Sequence, residues 1–252
     1  MIVLKTQREI ELIRSNGAIV ADVLKLMSEK ITPGIKTIQL DRLAEKLIRS
    51  KSAYPAFKGY RGYPASICVS IDNEIVHGIP GERVIKEGEL VSIDIGVLKD
   101  GYYADAAYTF AAGTISPEKE KLVLTTKKAL EAGIALVKVG NRLGDVSSAI
   151  QSCAEAEGFS VVRDLVGHGV GTKMHEEPQV PNFGSPGQGI ILKEGMVLAI
   201  EPMVNTGGFE IKTLEDNWTV VTADGSVSAH FEHTVAVRKD GPDILTSFNY
   251  YG

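Results

Sequence analysis

The sequence predicts an α/β fold of the α+β kind, built as two related halves around a shared core. Three observations carry that reading. The order helix, helix, strands occurs twice along 252 residues. The triplet Lys86-Glu87-Gly88 opens a strand carrying Asp94, and Lys193-Glu194-Gly195, 107 positions later, opens one carrying Glu201. Gly34 and Gly140, each between two paired helices, lie 106 positions apart. No Pro/Ser-rich linker parts the halves, so residues 1–252 read as a single pseudo-symmetric domain, with halves about 1–112 and 113–252.

The elements follow in order. Thr6 and Glu9 form a capping-box signature ahead of an apolar stripe at Ile10, Ile13, Gly17, Val20, Leu24 and Met27, which predicts a helix ending before Pro33-Gly34. A second helix starts at Thr37 and turns Leu40, Leu43, Ala44 and Leu47 inward. Ser66–Ile71 reads as a strand. Val91–Leu98 and Tyr102–Phe110 form a hairpin through Lys99-Asp100-Gly101, where Asp-Gly is the turn signal. Ser116-Pro117 reads as an N-cap with proline in the first turn of a helix running to about Lys138. Another helix covers roughly Asp145–Glu157. Strands follow at Ser160–Val166, Met196–Met203, Trp218–Thr222 and Val227–Val237.

Bulk properties exclude several classes of function. A net charge of −5 leaves no basic field for gripping nucleic acid, so a nucleic-acid substrate is not expected. Only Cys68 and Cys153 are present, far apart and without metal-site spacing, which points to a reducing compartment rather than a disulfide framework. Neither a signal-peptide pattern at the N-terminus nor an apolar run of membrane-spanning length is found, so the expected location is the cytoplasm.

The acids are where the chemistry shows. Alternation puts Val91, Ile93, Ile95 and Val97 on one strand face, and Leu90, Ser92, Asp94 and Gly96 on the other. In the hairpin partner Asp105 sits with Tyr103, Ala107 and Thr109. Glu201 ends Val197-Leu198-Ala199-Ile200, and Glu232 lies within Phe231-Glu232-His233-Thr234-Val235. An acid in such apolar surroundings is unfavourable unless it is paired or binds a cation. Any one of the four reads as readily as a salt-bridged or strand-end residue; four at related places in a duplicated fold point to a metal site. Histidine is scarce, yet His168 (Gly167-His168-Gly169), His175 (Met174-His175-Glu176-Glu177-Pro178) and His77 (Val76-His77-Gly78-Ile79-Pro80) each lie in a motif-like segment. Four carboxylates with one histidine make an oxygen-rich set suited to Mn²⁺, Fe²⁺ or Co²⁺, and to two ions bridged by shared oxygens.

Taken together, Asp94, Asp105, His168, Glu201 and Glu232 resemble the five metal ligands of the type I methionine aminopeptidases, of the pita-bread fold. The segments GYRGYPASICVSI, HGIP, DIGVLKDGYYADAAYTF, GHGVGTKMHEEPQVPNF, AIEPMV and HFEHT carry the resemblance from Ile2 to about Leu245. It implies a pseudo-two-fold fold with a central antiparallel sheet and two helix pairs. It implies two divalent ions per chain (Co, Mn or Fe, with Zn or Ni allowed), Asp94 holding one, His168 and Glu201 the other, and Asp105 and Glu232 bridging. It also implies Glu201 as proton shuttle, His77 and His175 as substrate contacts, and a methionine pocket drawing on Tyr60, Tyr63, Cys68 and Trp218, with Phe57 and Met174 beside them. The implied partners are the N-termini of nascent polypeptides, with transient ribosome contact, no membrane, and a monomeric enzyme. Leu165, Ala104 and Arg61 depart from the family pattern near the pocket. Two other readings stay open: an X-Pro aminopeptidase of the same fold, and a non-catalytic binding protein on it.

Overall fold

The computed structural model describes residues 2–247. In chain order the elements are α1 (Gln7–Lys30), α2 (Thr37–Ser50), β1 (Tyr54–Pro55), β2 (Cys68–Ile71), β3 (Glu74–Val76), β4 (Glu89–Lys99), β5 (Tyr102–Ala112), α3 (Pro117–Ala135) and α4 (Leu143–Ala156). There follow β6 (Ser160–Val161), β7 (Gly167–Gly169), β8 (Glu176–Val180), β9 (Val197–Ile200), β10 (Met203–Asn205), β11 (Ile211–Thr213), β12 (Val220–Thr222), β13 (Ser228–His230), β14 (His233–Arg238) and β15 (Gly241–Ile244).

Local chemistry accounts for the helix ends. The Thr6 hydroxyl accepts from Glu9 N while the Glu9 carboxylate accepts from Thr6 N, so the capping box opening α1 is closed in both directions. Ser116 caps α3, with Pro117 in its first turn. The β4–β5 turn is the two-residue loop Asp100-Gly101, both at positive φ (51° and 79°), as a hairpin turn matching strand twist requires.

The duplication can be followed bond by bond. Gly34 N donates to Ile85 O and Gly140 N to Leu192 O; Thr37 N donates to Arg83 O and Leu143 N to Ile190 O; Ile38 N donates to Gly81 O and Gly144 N to Gln188 O. Each pair of bonds repeats at an offset of 106–107 positions, and Gly34 and Gly140 share a positive φ (99° and 94°). Helices α1 and α2 pack on each other and α1 lies over β4–β5, while α3 packs on α4 over the second half. One continuous apolar core takes residues from both halves, from Ile10 to Leu245.

Two antiparallel sheets meet at the centre. In one, β4 pairs with β1, β2 and β5; the other runs β15-β14-β9-β7-β8. They join where β5 lies against residues 230–234, and threonine hydroxyls make much of the seam. Thr234 Oγ1 accepts from Asp105 N (3.0 Å) and donates to Asp105 O (2.7 Å). Thr109 Oγ1 accepts from His230 N (2.9 Å) and donates to His230 O (2.8 Å). With that proton engaged, the Ser92 hydroxyl, 2.8 Å away, donates to Thr109. Between them Glu232 N donates to Ala107 O (2.9 Å). Asp105 and Glu232 thus sit directly on the seam.

Three predicted strands are corrected. The strand expected over 196–203 stops at Ile200 and resumes at Met203, because Pro202 has no N–H to continue the ladder. The strand expected over 227–237 breaks at Phe231-Glu232, where the chain leaves β10 for β9 and its backbone turns to Pro202 and Ala107. Of Ser160–Val166 only the first two residues pair, since the chain then bends toward β7. Glu201 and Glu232 therefore occupy strand breaks rather than strand interiors.

Replacing Thr234 with valine keeps the shape but leaves Asp105 N buried without its acceptor. The expected outcome is a loss of about 1–3 kcal/mol of unfolding free energy, read from urea denaturation. A variant as stable as the parent would show that the seam does not depend on this hydroxyl.

Candidate metal centre and adjoining cavity

A cavity of about 300 Å³ opens beside the seam. Asp94, Asp105, His168, Glu201 and Glu232 line it together with His77, His175, Tyr60, Tyr63, Cys68 and Trp218, so all the residues singled out in the sequence face one space. Ligand atoms of Asp105, His168 and Glu232 lie within 4.8 Å of one another. Asp94 and Glu201 flank that group: the Asp94 and Asp105 carboxyls share a hydrogen bond, and Glu201 Oε1 is 3.5 Å from His168 Nε2.

Each ligand candidate is delivered by the backbone. Asp94 and Asp105 come from the hairpin β4–β5, Glu201 from the Pro202 break, Glu232 from the second break, and His168 from the middle of β7. Gly167 and Gly169 on either side allow backbone from β9 and β8 to approach so closely that an added Cβ would lie 2.3 and 2.4 Å from carbonyl oxygens. His168 Nδ1 donates to Gly169 O (3.0 Å), which fixes the tautomer and leaves the Nε2 lone pair facing the carboxylates.

Electrostatically the group is unfavourable without a cation. Burial first, and then neighbouring acids, push Asp105, Glu201 and Glu232 well above the ordinary carboxylate range. Asp94 is raised by burial to about 7, against the lowering effect of its bond with Asp105. Burial holds His168 down, so its approach to Glu201 is not an ion pair in the metal-free protein. Asp94 Oδ1, Asp105 Oδ1 and Glu232 Oε1 are buried without a hydrogen-bond partner among the described residues. Hard oxygen donors, one oriented imidazole and three orphaned carboxylate oxygens fit a divalent cation, which would reverse these shifts.

Beside the acids lies a small apolar cluster of Phe57, Tyr63, Ala65, Cys68 and Met174, edged by Tyr60 and Trp218. Gly96 makes room for it: a Cβ there would stand 2.7 Å from the Phe57 ring. Tyr63 is edge-on to Phe57 and Trp218, and its hydroxyl donates to Gly78 O (2.9 Å). His77 and His175 line the same cavity, and the His175 ring lies 4.2 Å from that of His168. His77 adopts φ 61°, a conformation that costs a non-glycine residue about 1–3 kcal/mol, and its ring meets Trp218 edge-on. The Tyr60 hydroxyl is 2.9 Å from His175 Nδ1, and the two rings stack at 5.4 Å. Burial lowers His77; burial, then the nearby His168 and Arg61, take His175 to about 3, so both imidazoles are neutral at pH 7.

Sequence reasoning left several residues unassigned. Asn182, fully buried, donates from Nδ2 to Glu201 O (3.0 Å) and steadies the break that carries the acid. Its signal was an amide set between Pro181 and Phe183. His230 Nε2 lies 3.8 Å from Glu201 Oε2. Asp164, Val166 and Met203 line the cavity, as do Arg61 and Leu165, two of the three departures noted above; Ala104 is buried in β5. His233 is tied to the Thr246 hydroxyl (3.0 Å), away from the cavity.

Comparison with known proteins places this arrangement. The sequence model of metallopeptidase family M24 matches residues 11–239. The chain belongs to that family, whose peptidases depend on metal. It is 55% identical over 246 residues to a methionine aminopeptidase of Clostridium perfringens, covering 98% of this chain and 99% of the relative. It is 52% identical, with the same coverage, to methionine aminopeptidase 1 of Bacillus subtilis. The crystal structure of a methionine aminopeptidase from Thermotoga maritima superposes with a TM-score of 0.97 at 46% identity, over 98% of this chain and all of that one. A prolidase from Pyrococcus horikoshii shares the fold, at TM-score 0.77 and 22% identity, and this chain spans 64% of its length.

The raised Asp94 carboxyl sets a pH dependence for the metal-free protein. Between about pH 4 and 7 the folded chain holds a proton that the unfolded chain, at an ordinary 3.8, has released. This stabilisation is full below 3.8 and is lost as pH rises through 7. Asp94→Asn removes it, so the stability difference, variant minus parent, rises by up to a few kcal/mol between pH 5 and 8. Urea midpoints of chelator-treated parent and variant at the two pH values measure this; a constant difference contradicts it.

Proposed function

We propose that the chain hydrolyses the N-terminal methionine from polypeptides whose second residue is small, as a metal-dependent aminopeptidase. The observation that carries this reading is that the buried acids line one cavity together with an aromatic and sulfur-lined cluster and two neutral histidines. Near-full-length identity of about half to methionine aminopeptidases supports the same reading. Residues 1–252 act as a single catalytic domain, its halves 1–112 and 113–252.

Two divalent ions, held by Asp94 on one side, by His168 and Glu201 on the other, and by Asp105 and Glu232 in common, would supply an acidified water and a polarised carbonyl. Mn²⁺, Co²⁺ or Fe²⁺ suits these donors best. The protein does the rest. Glu201 takes the proton of the attacking water and passes it to the departing amine. With the Tyr60 hydroxyl donating to Nδ1, His175 presents Nε2–H to the peptide, and His77 does so from the facing wall, where charge develops on the carbonyl oxygen. Tyr60, Tyr63, Cys68 and Trp218, with Phe57 and Met174, enclose the methionine side chain; the thioether suits aromatic and thiol walls. Burying that side chain is worth about 1.5–3 kcal/mol.

Two free cysteines, and no helix among the described residues long and apolar enough to cross a membrane, support an enzyme working on nascent chains in the cytoplasm. We read it as a monomer that meets the ribosome transiently.

The test is kcat/KM on peptides varied separately at the first and second positions. Met-Ala and Met-Ser peptides are expected to be cleaved well, Leu-Ala and Met-Leu peptides poorly, and N-formylated methionine not at all. Equal rates for Met-Ala and Leu-Ala, or a preference for proline at the second position whatever the first, would point to the X-Pro type of enzyme. Chelation should abolish turnover, and Mn²⁺ or Co²⁺ restore it. Glu201→Gln, which removes base and ligand together, should lower kcat by about 10²–10⁴-fold in a protein with unchanged circular dichroism.

A further inference from the structure

The turn from Gly171 to Glu176, between β7 and β8, brings Met174 and His175 to the cavity, and one buried ion pair ties it to the remote N-terminal segment. Glu176 closes the turn from within: Oε1 accepts from Lys173 N (3.1 Å) and the Thr172 hydroxyl (3.4 Å). Its other oxygen accepts from Lys5 Nζ at 2.5 Å, a partner 171 positions earlier. The two side chains are only 3% and 11% exposed. Lys5 is itself held to the sheet, its N donating to Gly195 O (2.7 Å) while Gly195 N donates to Val237 O (3.0 Å). Gly171 permits the approach: a Cβ there would lie 2.5 Å from both Lys5 Cε and Glu176 Oε1. On the far side Tyr103 N donates to Gly171 O (2.9 Å), two residues before Asp105.

We propose that Lys5 is a positioning residue for substrate: its ion pair with Glu176 straps the Gly171–Glu176 turn to the sheet and so holds His175 and the Met174 wall in register with the acids. The proposal rests on the reading of His175 as a substrate contact. Its physical basis is the asymmetry of buried pairs. With Lys5 gone, the Glu176 carboxylate is left in a largely covered site without its counter-charge. It must take a proton or swing toward water, and either change loosens the bonds to Thr172 and Lys173 that shape the turn. The carboxylates and His168 are set by β4, β5, β7 and the two strand breaks, so the metal-binding residues stay where they are. The strap therefore acts on substrate binding and not on metal binding, a separation that a purely structural contact would not produce.

The test compares Lys5→Met, Lys5→Met/Glu176→Gln and His175→Ala as full-length chains, by steady-state kinetics of the Mn²⁺-loaded enzymes on Met-Ala-Ser, calorimetric Mn²⁺ titration of the chelator-treated proteins, and thermal melting. Lys5→Met is expected to raise KM about tenfold, as the loss of one hydrogen bond that binds ground state and transition state alike does, with kcat changed less and Mn²⁺ affinity unchanged. The double variant removes the uncompensated charge, so its Tm recovers while its KM stays raised. Faster amide exchange at residues 172–175 in both accompanies the change. His175→Ala should raise KM in the same way. An unchanged KM in Lys5→Met beside a raised one in His175→Ala overturns the strap, as does a KM that recovers with Tm in the double variant. A parental KM in His175→Ala overturns the reading of His175 on which the strap rests.

Discussion

Bringing Asp94, Asp105, Glu201 and Glu232 into one dry space opposes folding, and much of the surrounding architecture answers that repulsion. The acids are enclosed by both central sheets and raise one another's pKa beyond what burial alone does. A site like this stays folded without metal only by holding protons, and a cation of charge two offsets several of the charges at once. The same surroundings that make the acids costly would make them strong, well-ordered ligands of such a cation. His168 shows the complementary device, its tautomer fixed by a backbone carbonyl so that one nitrogen remains available. Pseudo-two-fold symmetry brings Asp94 and Glu201, 107 positions apart, to one cavity from the two halves.

Closing the seam takes more than ordinary strand pairing. At Pro202 and at Phe231-Glu232 the ladders stop, which frees backbone to turn and aims Glu201 and Glu232 inward. The unpaired groups are then met by Thr234 and Thr109, each hydroxyl serving as both donor and acceptor to a single residue across the seam. Two threonine bridges stand on either side of the direct backbone bond from Glu232 N to Ala107 O, and together these contacts close the seam.

Elements with a strong local signal were legible in the sequence. The capping box of α1, the proline-led start of α3 and the Asp-Gly turn of the central hairpin are set by neighbours in sequence, and the glycines at 34 and 140 mark the repeat. Three-residue strands such as β7 and β10 carry too little periodicity to define, and β8, with proline in its middle, reads as a loop. The breaks at Glu201 and Glu232 were hidden because apolar residues on both sides imitate continuous strands; only Pro202 hinted at one. Asp94 and Asp105 were conspicuous as acids in apolar strands. The threonine seam and the Lys5–Glu176 pair were not, because contacts over a hundred positions leave no pattern in composition or spacing, and Asn182, 19 positions from Glu201, showed only as an amide between Pro181 and Phe183.

Symmetry ends at the cavity walls. Asp94 and Glu201 stand at matching positions of the two halves, but the walls do not: Phe57, Tyr60 and Tyr63 belong to a turn of the first half, Met174, His175 and Trp218 to loops of the second. Two other cavity-lining residues, Arg61 and His77, adopt positive φ, as does Asn217 next to Trp218, conformations that ordinary packing would not select. Such strain persists only where the surroundings over-determine it. Here Gly78 pressed against Val69 O, the Tyr63 hydroxyl on Gly78 O and the aromatic contacts of Trp218 supply that constraint. A duplicated sheet thus sets the cluster of acids. Divergent loops, fastened individually to that sheet, set the shape of the cavity beside it.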